Sequence, residues 1–189
     1  MKTLVTIITI CFLSTISFGQ KNLFYATIQD YYNKKPIDGY EIEDGGYSEG
    51  TFGTTIKIKK GTERIKTSPS DLPSEFFTYA SIYTYPKFID CLMRSYKGDI
   101  YMVLVDGPLC FYTKFQYLEK QYYSETISGD LKKYSRNFLE KHLKDYDLLE
   151  SYKSDRPKIQ VNTTAEERIN NNLQHDAKYF NIINSKIKK

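Results

Sequence analysis

The sequence predicts an α+β fold, an antiparallel β-meander sheet packed by C-terminal helices. Three observations carry that prediction. Up to Ile127 the chain consists of short alternating runs separated by Gly and Pro turns. After Ile127, apolar residues recur three and four positions apart. Between them Ile100 to Val105 reads Ile-Tyr-Met-Val-Leu-Val without a break, the pattern of a central strand covered on both faces.

The chain begins as an export signal begins. Met1-Lys2 precedes a largely apolar run from Leu4 to Leu13, and Ser17 and Gly19 supply small residues before a cut. Residues 1–19 therefore read as a signal peptide, because a run of about ten apolar residues is half of what spans a bilayer. Cys11 lies inside that run and not after small residues at its end, so it does not read as a lipidated cysteine. Residues 20–189 read as a single α+β domain, sheet-rich over 20–127 and helical over 128–189, with no transmembrane anchor left after cleavage. The implied location is periplasmic or extracellular.

Leu23 to Asn33 fits either a short strand through Leu23, Tyr25 and Thr27 or a helix through Phe24, Ile28, Tyr31 and Tyr32, and Pro36 closes it. Gly39 to Gly53 carries five glycines and reads as a strand running into a mobile loop. Thr54–Lys60 and Thr62–Thr67 alternate Ile56, Ile58 and Ile65 with charges around Lys60-Gly61, a hairpin with one wet face. The segment from Ser68 to Pro73 breaks the chain, with Ser70 or Ser74 able to cap a helical turn through Phe76-Phe77.

The meander is expected at Phe88–Tyr96, Asp99–Asp106 and Leu109–Tyr117, with Gln121–Ile127 as a fourth strand. In its first strand Ile89, Cys91 and Met93 share one face, which leaves Asp90 and Arg94 to water. Leu131, Tyr134, Phe138, His142 and Leu143 form an amphipathic stripe, and Asp147–Lys153 a second short helix. The last helix has the clearest start, with Thr163 and Thr164 at capping-box spacing from Glu166 and Glu167. Ile169, Leu173, Ala177, Phe180 and Ile183 then give it an apolar face ending near Asn184.

The two cysteines after the leader, Cys91 and Cys110, sit where a disulfide is chemically allowed. With hairpin tips at Lys97-Gly98 and Gly107-Pro108, Cys91 falls opposite Leu104 and Cys110 opposite Val105. Those positions point to opposite faces, so two free thiols are expected unless a bulge or another strand order brings them together.

No spacing in the chain marks catalysis. The two histidines, His142 and His175, each fall on a predicted helix, His142 on the apolar stripe and His175 beside one. Neither stands in a nucleophile pattern, and Gly-x-Ser-x-Gly is absent. Two distant histidines and two strand cysteines do not space a zinc site, and the glycine-rich stretch lacks a phosphate-loop ending. Glu41, Glu43, Asp44 and Glu49 crowd that stretch without the order of a calcium loop. No cofactor or metal is implied. A net charge of +4 spread along the chain, densest at Lys186, Lys188 and Lys189, points to no nucleic-acid partner.

What stands out is aromatic supply: 18 Tyr, 11 Phe and no Trp, with fourteen of these rings between Phe76 and Tyr123. A tyrosine offers a rigid apolar body with a hydrogen-bonding tip, so Tyr112, Tyr117, Tyr122 and Tyr123 form the candidate interaction surface for an envelope protein or glycan.

The leader ending Ser-Phe-Gly-Gln, the stretch from Asp30 to Ile37, Lys59-Lys60-Gly61 before Asp71-Leu72-Pro73-Ser74, and Asp99-Ile100-Tyr101 leading to Gly107-Pro108-Leu109-Cys110 together resemble uncharacterised exported proteins of Bacteroidota-type bacteria. The resemblance covers most of the mature chain and implies an envelope address, with no activity or site residues attached. The function expected is a non-enzymatic binding or interaction module of the cell envelope. The alternatives are a hydrolase of an envelope polymer working through cleft carboxylates, and a structural piece of an envelope assembly.

Overall fold

A computed structural model describes residues 22–50, 53–72, 75–84, 87–115, 117–157 and 163–187. Residues 1–19, where the signal peptide is expected, Cys11 and the last two lysines lie outside the described residues. The fold is α+β with antiparallel sheets, as the pattern of the chain implies. It divides into two compact units, one ending at Gly98 and the other beginning at Asp99. The compositional break at Ile127 falls inside the second unit, which carries strands and helices both.

In the first unit the ambiguous segment 23–33 contains both predicted elements. Phe24–Tyr25 is a short strand, β1, and Ile28–Tyr32 a helix, α1, started by Thr27, whose hydroxyl accepts from the Asp30 amide at 3.1 Å. Residues 40–50 of the glycine-rich stretch are a strand and not a loop. Tyr40–Gly50 (β2) pairs antiparallel with Gly53–Lys60 (β3), and the register shifts between Ile42 and Tyr47. Gly45 and Gly46 fall in that shift, where a bulge tolerates residues without side chains. Glu63–Thr67 (β4) completes a sheet of order β2-β3-β4, burying Ile42, Ile56 and Ile58 on one side.

Ser68, and not Ser70, caps the next turn, a 3-10 turn at Pro69–Asp71 in which Asp71 reaches back to the Ser68 amide; Ser74 lies outside the described residues. Phe76 and Phe77 do not form a helical turn. Both are buried, and Phe77 opens strand β5, Phe77–Thr84, because two adjacent large rings reach two sides of a sheet only from extended chain. β5 pairs with β1 and with β6, Lys87–Tyr96. Arg94, expected in water, is instead 0 % exposed. Its Nη2 meets Glu75 Oε2 at 3.2 Å and its guanidinium lies 5.0 Å from the Tyr96 ring, so an ion pair and aromatic cover replace the solvent.

Lys97 and Gly98 both have positive φ (51° and 79°), the backbone of a tight two-residue turn. The second unit then runs Asp99–Val105 (β7), Cys110–Lys114 (β8), Tyr117–Ser124 (β9) and Lys132–Lys133 (β10), neighbours in that order. β7 is buried over most of its length, as a central strand should be. The single strand expected over Leu109–Tyr117 is broken after Lys114. Phe115 turns inward, 4 % exposed, its amide bonded to the Ile100 carbonyl at 2.9 Å, so the next strand starts at Tyr117 and not at Gln121. A bulge between Val103 and Val105 sets Phe111, not Cys110, opposite Val105. Cys91 and Cys110 are free, and burial raises both thiol pKa values, that of Cys91 to about 12.

The helices cover one face of these strands. Helix α2, Arg136–Asp145, starts at Ser135, so Leu131 and Tyr134 precede it, and β10 occupies part of the predicted stripe. Helix α3 is Leu149–Ser154, and helix α4 is Ala165–Ile187, three residues longer than its apolar face implies. The Thr164 to Glu167 box is present in both directions, at 3.2 and 2.8 Å. Phe180 stacks on Phe111 at 4.6 Å and Phe138 on Tyr123 at 3.7 Å, around a core of Val105, Leu139, Leu143 and Ile183. No described helix is long and apolar enough to cross a membrane.

Asn184 fixes the end of α4. Its side-chain oxygen accepts from the Leu109 amide and its nitrogen donates to the Leu109 carbonyl, each at 2.8 Å and buried. A side chain at Gly107 would overlap that amide group, which accounts for glycine there. Asn184→Ala leaves both peptide groups of Leu109 without partners and should cost about 2–3 kcal/mol in urea unfolding. A loss below about 0.5 kcal/mol would show that the clasp contributes little.

Candidate functional site

The four tyrosines singled out from sequence do not form one surface. Tyr112 is 0 % exposed, and its hydroxyl lies 2.9 Å from Ser124 Oγ and donates to the Ile127 carbonyl at 3.1 Å, so it belongs to the interior. The reason is register. Tyr112 lies opposite Tyr122 on β9, and Phe111 opposite Tyr123, so these rings alternate between the two sides of the strands. Tyr122 is half-buried against Tyr101, with ring centres 5.1 Å apart, and Tyr123 is half-buried against Phe138. Tyr117 is half-buried with Lys120 and Lys114 over its ring at 4.0 and 5.7 Å. Among the described residues, Tyr32 is the only tyrosine that is a large exposed ring.

The acidic stretch fares similarly. Glu41 is exposed, Glu43 pairs with Arg64 at 3.0 Å, and the side chains of Asp44 and Glu49 lie outside the described residues. No three His, Cys, Asp or Glu side chains among the described residues are placed to hold a metal ion. His142 is half-buried against Phe138, with Nδ1 at 3.0 Å from the Phe138 carbonyl, a packing position.

The chemistry concentrates on α4 instead. His175 and Asp176, neighbours in sequence, are 7 % and 3 % exposed. Asp176 Oδ2 accepts from the Tyr134 hydroxyl at 2.9 Å, and Oδ1 accepts from the Tyr152 hydroxyl at 2.8 Å. Arg136 Nε donates to Tyr152 Oη at 3.2 Å, which extends the chain of bonds to a cation. One carboxylate thus joins α4 to α3 and to the residues leading into α2. Burial, with the Asp176 charge added, raises the Tyr134 pKa well above the ordinary phenol range and that of Tyr152 to about 12. Both hydroxyls therefore stay protonated as donors.

His175 lies between two rings, 4.6 Å from Tyr152 and 5.2 Å from Tyr179. Its Nδ1 is 3.6 Å from Asp176 Oδ1, too long for a hydrogen bond but the nearest negative charge. Nε2 is buried and has no hydrogen-bond partner among the described residues. His175 also lines an open depression with Asp155, Pro157, Asn171, Gln174 and Lys178. At its rim Asp155 Oδ2 accepts from Lys178 at 2.7 Å and from Tyr179 at 3.0 Å; those bonds, Lys178 first, hold the Asp155 carboxyl below its usual pKa.

This arrangement can bind but lacks the partners of a nucleophilic site. An imidazole oriented by a carboxylate is half of an acid–base relay, yet no described hydroxyl or thiol engages Nε2. The depression has one carboxylate, and Lys178 already neutralises it. Two amides and a lysine beside a buried, unpartnered imidazole nitrogen suit a polar, hydroxyl-bearing ligand.

Compared with protein-family models, curated proteins and solved structures, the chain matches none. The site therefore stands on its own geometry. The sequence does not announce it, because His175 alone reads as a packing residue beside an apolar stripe. The available signal was Asp176 itself, three residues after Leu173 and four before Phe180, a carboxylate on an apolar helix face.

The raised Tyr152 pKa sets a pH window. Below about pH 10 the phenol is protonated whether the chain is folded or not; above that the unfolded chain releases the proton first. Stability should fall by about 1 kcal/mol per raised tyrosine between about pH 9 and 11 in urea titrations. Tyr152→Phe should lessen that fall, and an unchanged slope would contradict the assignment.

Proposed function

We propose that the protein is an exported, non-enzymatic binding module of the bacterial cell envelope, with the depression over His175 as its ligand site. The observation that carries the reading is the buried, unpartnered Nε2 of His175 beside a polar opening among the described residues. An interior polar nitrogen left without a partner costs free energy, and a ligand hydroxyl, which can donate or accept, removes that cost on entering there. Asn171 and Gln174 offer both donors and acceptors, and the paired Lys178 and Asp155 a polar rim without net charge, the complement of a sugar or similar polyol. The leader at 1–19 and the resemblance to exported bacterial proteins support an envelope address.

A hydrolytic reading has less support, since it needs two acids across a cleft and the depression offers Asp155 alone. The half-buried Tyr117 and Tyr122 remain secondary contacts for a partner, without Tyr112.

Titration of the labelled protein with N-acetylglucosamine oligomers and with a neutral glucan, followed by amide NMR, tests the proposal. Shifts should cluster at Asn171, Gln174 and His175, and His175→Phe should weaken binding about ten-fold while still filling the space between Tyr152 and Tyr179. Shifts elsewhere, or equal binding by the phenylalanine variant, would refute it.

A further inference from the structure

The hairpin of β3 and β4 repeats an unfavourable arrangement. Lys57 lies directly opposite Lys66, and Lys59 directly opposite Arg64. Alternation puts all four on the same face, and all four are exposed, while Ile56 and Ile58 fill the other face at 0 % and 2 % exposure. Like charges directly opposite each other across strands are destabilising, so two consecutive rows of them weaken the hairpin that carries them.

Neighbouring acids offset the arrangement in part only: Glu41 on β2 lies opposite Lys59, while the Lys57 and Lys66 row has no acid in register with it among the described residues. Glu43 pairs with Arg64 at 3.0 Å, but Lys57, Lys59 and Lys66 have no ion-pair partner among the described residues. Protection of a sheet edge accounts for cations on β4, the outer strand. It does not account for setting Lys57 opposite Lys66 on β3, an interior strand, where no acid on β2 is in register with it.

We infer that this face binds a linear acidic polysaccharide, whose anions lie along the paired rows and relieve their repulsion. Its shape favours that occupant. The band is two strands wide, about 5 Å between strands and about 7 Å between rows, and Glu41 and Glu43 on β2 border it. A narrow band bounded by acids matches a chain better than the plane of a membrane. The rows of lysine and arginine carry no ring on which a base could stack, which sets single-stranded nucleic acid aside. The inference rests on strand register in the first unit and is independent of the depression over His175.

Heparin, polygalacturonate and neutral dextran serve as probes for the purified full chain. Binding is expected to the first two and not to dextran, weakening about ten-fold or more from about 50 to about 200 mM salt. Lys66→Glu turns one repulsive row into an opposite-charge pair, so it should weaken polyanion binding about five-fold or more while raising the thermal midpoint by about 1–3 °C. Lys141→Glu, an exposed position on α2 with the same change of net charge, should leave binding within about two-fold. Equal weakening by both variants would reduce the effect to net charge and overturn the inference. So would undiminished binding by Lys66→Glu, or binding to phosphatidylglycerol vesicles with none to the polysaccharides.

Discussion

The carboxylate of Asp176 is 3 % exposed, and the helical layer of the second unit is arranged around it. A charge in that position costs several kcal/mol unless protein groups take over the role of water. Two phenols do so, Tyr134 ahead of α2 and Tyr152 on α3, with Arg136 behind the second. Each of these donors arrives on a different stretch of chain, so the requirement to satisfy one buried anion fixes where those stretches lie. His175 inherits its place from the same constraint, because the residue next to Asp176 can only sit between Tyr152 and Tyr179. Asn184, two turns further along α4, then ties the helix to the peptide groups of Leu109.

Together these contacts explain how a chain rich in tyrosine and without tryptophan makes a specific interior. The rings supply area, as Phe111 does on Phe180, and the hydroxyls supply direction. Tyr112 shows the same use on the strands, fully buried with its hydroxyl anchored to Ile127. Aromatic excess here is largely a means of folding, and the exposed chemistry lies with lysines, amides and one histidine.

Much of the fold was legible where local rules and burial agree. The β3 to β4 hairpin followed from isoleucines alternating with charges, and the start of α4 from threonine and glutamate three apart. What misled was any residue whose neighbours in space differ from those in sequence. Glycines at 45 and 46 suggest a loop until β3 pairs with the residues on either side of them and leaves them in a register shift. Arg94 suggests a wet face until Glu75, nineteen residues away, meets it. The site was hidden for the same reason, since Asp176 is an anomaly in the helix pattern whose meaning depends on Tyr134 and Tyr152, 42 and 24 residues earlier.

The central claim is that the Asp176 charge and the tyrosine hydroxyls stabilise one another. A double-mutant cycle with Tyr134→Phe and Asp176→Asn, read by urea unfolding at neutral pH, measures that directly. The account requires a coupling of about 1 kcal/mol or more, with the double variant less destabilised than the sum of the single ones. Effects that add to within about 0.3 kcal/mol would mean that the bond is incidental and that packing alone holds the helices in place.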